Sequence, residues 1–282
     1  MKQDCHIHMV LDGTDWKAAI GRHREGVAEA EVRTALALYR DLGYDYLRDG
    51  GDRWGVGLRA RELAGEYGIC YRTPLAPLHK VGHYGGFIGE SFENLKEYGE
   101  KVKNIRQKGG DFVKIMISGL MDFDRFGVLT QPPLAASEIR EMVHIAHEEG
   151  FSVMAHANGA RTVEAAARAG ADSVEHGAYL DEDALRAMVE NGTVWVPTLS
   201  AVANLRGKGR FSEEAVQAIF RSGVENVRTF AEMGGTLACG SDAGAWAVPH
   251  GAETEWKLLT EAIGENAGAV LARGNGRIRE KF

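Results

Sequence analysis

Apolar residues fall along this chain in two alternating rhythms. Short, nearly continuous apolar runs occupy residues 5–11, 44–48, 68–71, 112–117, 151–155, 173–175, 194–197 and 236–239. Runs of this length, bounded by glycine and polar residues, predict strands that are covered on both faces. Between them lie amphipathic stretches at 27–42, 57–66, 92–107, 136–148, 160–169, 181–190, 213–233 and 253–263, which predict helices. Gly43, Gly109, Gly150, Gly170, Gly192 and Gly234 close many of these stretches, the expected helix stop before a following strand. Eight strand–helix units without an intervening linker predict one α/β domain over residues 1–282, folded as a (β/α)8 TIM barrel. An open doubly wound sheet is the competing architecture. It calls for a glycine-rich phosphate cradle in the first turn, and Leu11-Asp12-Gly13-Thr14 is no such cradle.

Barrels of this kind carry their chemistry where strands end and the following loops begin. His6 and His8 stand two apart in the first run, so an extended backbone points both imidazoles the same way. Alone the pair also fits two polar residues on a half-buried strand. Lys114 lies in the fourth run, His156 and His176 end the fifth and sixth, and Asp242 follows the eighth. Each has an ordinary alternative: Lys114 as a structural lysine paired with Asp111 or Glu175, Asp242 as a helix cap, His176 as a satisfied core histidine. The ordered set from five strand ends is more specific than any member. The loop after the third run, from His79 to Gly89, holds His83 and Tyr84, and Tyr179 follows His176. These three are candidates for substrate contact. Arg48 reads as a barrel-floor or loop-anchoring ion pair. His144 and His147 read as solvated helix residues, and His23 and His250 as weaker candidates at the mouth.

The set resembles the amidohydrolase superfamily, and within it the imidazolonepropionase and Xaa-Pro dipeptidase-like branch of metal-dependent hydrolases. The resemblance spans nearly the whole chain. It rests on Asp4-Cys-His-Ile-His-Met-Val-Leu-Asp-Gly13, Phe112-Val-Lys-Ile-Met-Ile-Ser-Gly119, Met154-Ala-His-Ala-Asn-Gly159, Gly170-Ala-Asp-Ser-Val-Glu-His-Gly177, Val196-Pro-Thr-Leu-Ser200 and Gly240-Ser-Asp-Ala-Gly244. It implies a hydrolase that cleaves an amide-type bond in a small or peptide-like substrate with a hydroxide shared by two divalent ions, zinc first among them. His6, His8 and Asp242 would hold one ion and His156 and His176 the other. Lys114, carboxylated by CO2, would bridge both. Asp242 would also shuttle the proton, His83 and Tyr84 would polarise a carbonyl or hold a carboxylate, and Tyr179 would contact substrate. A mononuclear deaminase or cyclic-amide hydrolase of the same superfamily is an alternative, although such sites characteristically lack the lysine. Lactonase or phosphotriesterase chemistry and a non-catalytic metal-binding barrel are further ones.

Two departures from the resemblance stand out. Relatives often carry a second histidine where this chain has Asn158. Most also have a small β-sandwich outside the barrel, which the few residues before His6 and the short tail after Asp242 predict to be absent or vestigial. The last helical unit reads as shortened, and such an open barrel is expected to form a homo-oligomer. Composition adds exclusions. An apolar fraction of 44% supports a sizeable core, and the net charge of −7 argues against nucleic acid and anionic membrane as partners. No apolar run is long enough to span a bilayer, and no secretory leader is evident. Three dispersed cysteines, Cys5, Cys70 and Cys239, read as reduced packing residues in a cytoplasmic protein.

Overall fold

Strands β6 (Val113–Met116) and β7 (Val153–Ala157) are buried at every position, as expected of strands sandwiched between a barrel interior and a coat of helices. The computed structural model describes residues 2–282. The other strands are β1 (Lys2–Ile7), β2 (Tyr44–Asp49), β3 (Cys70–Arg72), β4 (Leu78–Lys80), β5 (Glu90–Phe92), β8 (Ser173–His176), β9 (Val194–Val196) and β10 (Thr236–Leu237). All ladders are parallel. One runs β1-β2-β3 and the other β10-β9-β8-β7-β6-β4-β5.

Backbone hydrogen bonds join the two ladders at both edges. Asp111 N donates to Thr73 O at 2.9 Å, beside the third strand position. That position is split into β3 and β4 because Pro74 and Pro77 supply no N–H to the ladder. On the other side Cys5 N donates to Cys239 O at 2.8 Å and Asp242 N to His6 O at 2.8 Å. The result is the (β/α)8 barrel. β5 pairs with β4 outside the ring. Among the described residues every strand belongs to the ring or to β5, and there is no accessory sandwich.

The helices are α1 (Trp16–Gly21), α2 (Glu29–Asp41), α3 (Val56–Ala64), α4 (Leu95–Gln107), α5 (Ala136–Glu148), α6 (Ala160–Arg168), α7 (Glu182–Asn191), α8 (Leu199–Ala203), α9 (Glu213–Glu232), α10 (Thr254–Ile263) and α11 (Ala267–Lys281). Eight correspond to predicted stretches. Asn94, Asp181 and Ser212 cap α4, α7 and α9 with side-chain oxygens. None of the described helices is long and apolar enough to cross a membrane.

The tail corrects an expectation. It is not a shortened remnant but the 15-residue helix α11. Three glycines weaken its helical signature, yet one of them is required. A Cβ on Gly274 would drive into the carbonyl of Leu237, so glycine lets α11 lie directly against β10. Its last turn sends Ile278 and Phe282 among Cys5, Tyr46, Phe112, Met154 and Val194, near the starts of the strands. The Phe282 ring meets Phe112 edge-on at 5.2 Å. The guanidinium of Arg48 sits 4.4 Å above Phe282.

Candidate metal centre

The opposite end of the barrel collects the polar groups. His6 and His8 leave β1 on the same side, their ring centroids 5.2 Å apart and their Nε2 atoms 3.3 Å apart. Asp242 Oδ1 lies 3.3 Å from His8 Nε2 and 3.6 Å from His6 Nε2. The ligand atoms of His6, His8 and Asp242 all fall within 4.8 Å of one another. His176 stands 5.2 Å from His6 and 4.6 Å from His156, ring to ring. Lys114 Nζ is 3.4 Å from His6 Nε2. Gly50 makes room between these groups: a Cβ there would overlap both the His8 ring and Lys114 Nζ. The structure thus brings together all six residues singled out as ligands.

A second set of contacts orients the first. Glu175 Oε2 accepts from His6 Nδ1 at 2.6 Å, which leaves His6 Nε2 facing Lys114, His8 and Asp242. Glu175 Oε1 accepts from Arg48 Nη2 at 2.8 Å, and both groups are wholly buried. The anticipated ion pair of Arg48 is therefore found, and Glu175 is its partner. Thr198 Oγ1 lies 2.7 Å from His176 Nδ1. Asp4 accepts from Ser241 N at 2.9 Å, from Ser241 Oγ at 2.6 Å and from His6 N at 3.2 Å, tying the segments that carry His6 and Asp242 together. Strain is concentrated here. His176, Thr198 and Asp242 have φ of 69°, 51° and 58°, conformations that non-glycine residues rarely adopt unless their surroundings hold them there.

Burial sets the protonation states. It pushes His6 and His176 well below the usual histidine range, assisted by Lys114 for His6 and by His156 for His176. Burial, then the Lys114 charge, lowers His8 and takes His156 down to about 3. The four imidazoles are therefore neutral, the form that donates a lone pair. Burial also lowers the Lys114 ammonium to about 8, against the opposing pull of Glu175, Asp242 and Asp49. The carboxylates proposed as structural partners for Lys114 are committed elsewhere. Asp111 pairs with Arg61 at 3.0 Å and Arg72 at 3.2 Å, and Glu175 with Arg48. His8 Nδ1 is buried with no hydrogen-bond partner among the described residues.

Above these groups opens a cavity of about 390 Å³. Its walls are strongly aromatic: Trp16, Tyr84, Phe87, Phe123, Phe211 and Trp246. Tyr84 packs against His156 with ring centroids 4.9 Å apart. The structure does not bring His83 or Tyr179 to this wall. His83 sits in the turn where its N–H donates to Lys80 O at 3.0 Å. Tyr179 stacks edge-on with Phe126 at 5.2 Å. His250 lies between Tyr39 Oη at 3.0 Å and Leu11 O at 2.9 Å, a structural anchor. His147 is paired with Asp172 at 3.0 Å rather than merely solvated, and the ring of His23 accepts from Ala28 N at 3.2 Å. Asn158, at the departure noted above, donates to Gly119 O at 3.2 Å and accepts from Ala178 N at 3.0 Å, fixing the loops around His156. Sequence reasoning missed Glu175 as an orienting group, Thr198, and the aromatic wall. Only the aromatic density of the loops offered a signal for the last.

A model of the amidohydrolase family matches residues 71–273. An ochratoxinase of Aspergillus niger is 26% identical over 330 residues, covering 99% of this chain and 67% of that protein. An uncharacterized protein of Mycobacterium bovis is 30% identical over 280 residues, covering 95% of this chain and 70% of its own length. Among solved structures, a Xaa-Pro dipeptidase with methionine bound in its active site superposes with a TM-score of 0.79 at 21% identity, over 99% of this chain and 75% of the dipeptidase.

Proposed function

Because the chain belongs to the amidohydrolase family, we propose that it hydrolyses amide-type carbon–nitrogen bonds in small or peptide-like substrates at a binuclear metal centre. The convergence of six ligand-type side chains from five strand ends carries this reading. The donor chemistry fits: neutral imidazoles, the Nε2 atoms of His6 and His8 converging at 3.3 Å, and three ligand atoms mutually within 4.8 Å. His6, His8 and Asp242 would hold one ion, and His156 and His176 the other. Their nitrogen and oxygen donors suit zinc. Lys114 would complete the donor set as a carbamate: its neutral amine nitrogen bonds to the carbon of CO2 and one proton leaves to solvent, so that an anion replaces the neutral amine. A buried lysine whose amine lies 3.4 Å from a histidine nitrogen supports this.

When bound, two divalent ions polarise a scissile carbonyl and acidify a water beside it. The rest falls to the chain. An Asp242 carboxylate oxygen takes the proton of the attacking water and returns it to the leaving nitrogen. Glu175 and Thr198 hold His6 and His176 through Nδ1, and the aromatic wall excludes bulk water from the reacting bond.

Elemental analysis of protein prepared without chelator is expected to give about two ions per chain. A steady value near one would favour the mononuclear deaminase or cyclic-amide hydrolase. Asp242→Asn keeps an oxygen but no proton acceptor, so much of the metal stays while kcat falls by roughly 10²–10⁴. A raised KM at unchanged kcat would move Asp242 into substrate binding. Turnover of lactones or phosphotriesters without any amide would overturn the amide assignment.

A further inference from the structure

One charge at the cavity wall has no part in the metal set. Arg210 lines the cavity, whereas the other ionisable groups on its wall are His8, Lys114, His156, His176, Asp242 and the Tyr84 phenol. Its guanidinium carbon lies 4.4 Å from the Trp246 ring centroid and 5.3 Å from that of Phe211. Phe211 in turn meets Trp246 at 6.0 Å, edge-on, and Phe123 at 5.1 Å. The acids on the facing loop are engaged elsewhere: Asp122 pairs with Arg125, and Asp124 accepts from Ser212 N at 2.7 Å. Arg210 makes no ion pair among the described residues. An exposed guanidinium held over apolar rings without an ion pair keeps its N–H donors available, and their fork matches a carboxylate. The aromatic groups it caps carry no charge that would compete for those donors.

We infer that the site selects amides bearing a large apolar or aromatic group next to a carboxylate, with the ring in the Phe123–Phe211–Trp246 box and the carboxylate on Arg210. The scissile amide would then face Asp242 and Lys114 on the same cavity's wall. The bond to be cleaved rests on the function proposed above; the box and its charge do not. The volume of about 390 Å³ accommodates a ligand of this size.

Binding and turnover separate the two claims. N-acetyl-L-phenylalanine, its C-terminal amide and N-acetyl-L-alanine are compared by calorimetry and by hydrolysis with metal-loaded protein. The phenylalanine acid is expected to bind about tenfold tighter than either comparator. Arg210→Gln should remove the preference for acid over amide, raising KM with kcat within about twofold, and Arg210→Lys should restore part of it. Equal binding of acid and amide, binding of neither, or a preference that survives Arg210→Gln overturns the inference. Acid-selective binding that depends on Arg210, with no hydrolysis of any amide, upholds the inference and defeats the amide-hydrolase reading alone.

Discussion

Glu175 and His176 are adjacent in β8, where a regular strand would turn them to opposite faces. The left-handed φ of 69° at His176 breaks that alternation, so both reach the same cluster. For this reason the orienting role of Glu175 is not legible in the sequence, whereas the shared direction of His6 and His8, two apart, follows from alternation. Glu175→Gln should weaken zinc affinity about 10- to 100-fold, measured by competition with a chromogenic chelator. It should also destabilise the fold by roughly 3–5 kcal/mol, because Arg48 loses its buried counter-charge. Unchanged affinity would reduce Glu175 to packing. A second buried acid predicts a pH effect. Glu255, whose Oε2 accepts from Ser200 N at 2.6 Å, is pushed up to about 7 by burial against those Ser200 contacts. Its folded-state value lies above the 4.5 of a free glutamate, so folding favours the protonated form. That contribution is complete below the unfolded value and is lost as pH rises through the folded one. Glu255→Gln should therefore gain stability over the parent as pH climbs from about 5 to 8, by roughly 2–4 kcal/mol. Parallel melting curves across that range would refute it.

At the scale of elements, the eight strand positions were legible because parallel strands buried on both faces leave unbroken apolar runs. The split of the third into β3 and β4 follows from Pro74 and Pro77, which interrupt the ladder without ending the chain's passage through the wall. The helices α1 and α8 are too short to show a period, six and five residues. Helix α11 was obscured by glycines that serve packing rather than propensity. Gly274→Ala tests this. Alanine raises helix propensity by about 1 kcal/mol, but the overlap with Leu237 O should outweigh it, giving a net loss of roughly 1–3 kcal/mol in chemical denaturation. A stabilised variant would show that α11 does not press on β10.

Over the whole molecule, the two ends of the barrel have opposite characters: apolar closure where strands begin, converging polar groups where they end. Stability should therefore respond to the polar end's occupancy. Chelator treatment is expected to lower Tm by about 10 °C, the consequence of losing roughly 4 kcal/mol of linked binding energy, and added zinc should restore it; a Tm indifferent to both would mean that the cluster holds no ion. The closed end has a different consequence. With Ile278, Phe282 and Phe112 packed across the strand starts, the barrel is a blind vessel, and nothing traverses it. Reactant enters and both fragments depart through the same doorway, so the fragments must queue, and whichever lingers obstructs the next arrival. Steady-state kinetics should then show the slower fragment competing directly with fresh reactant, a traffic rule imposed by a stopper at the far end from the chemistry.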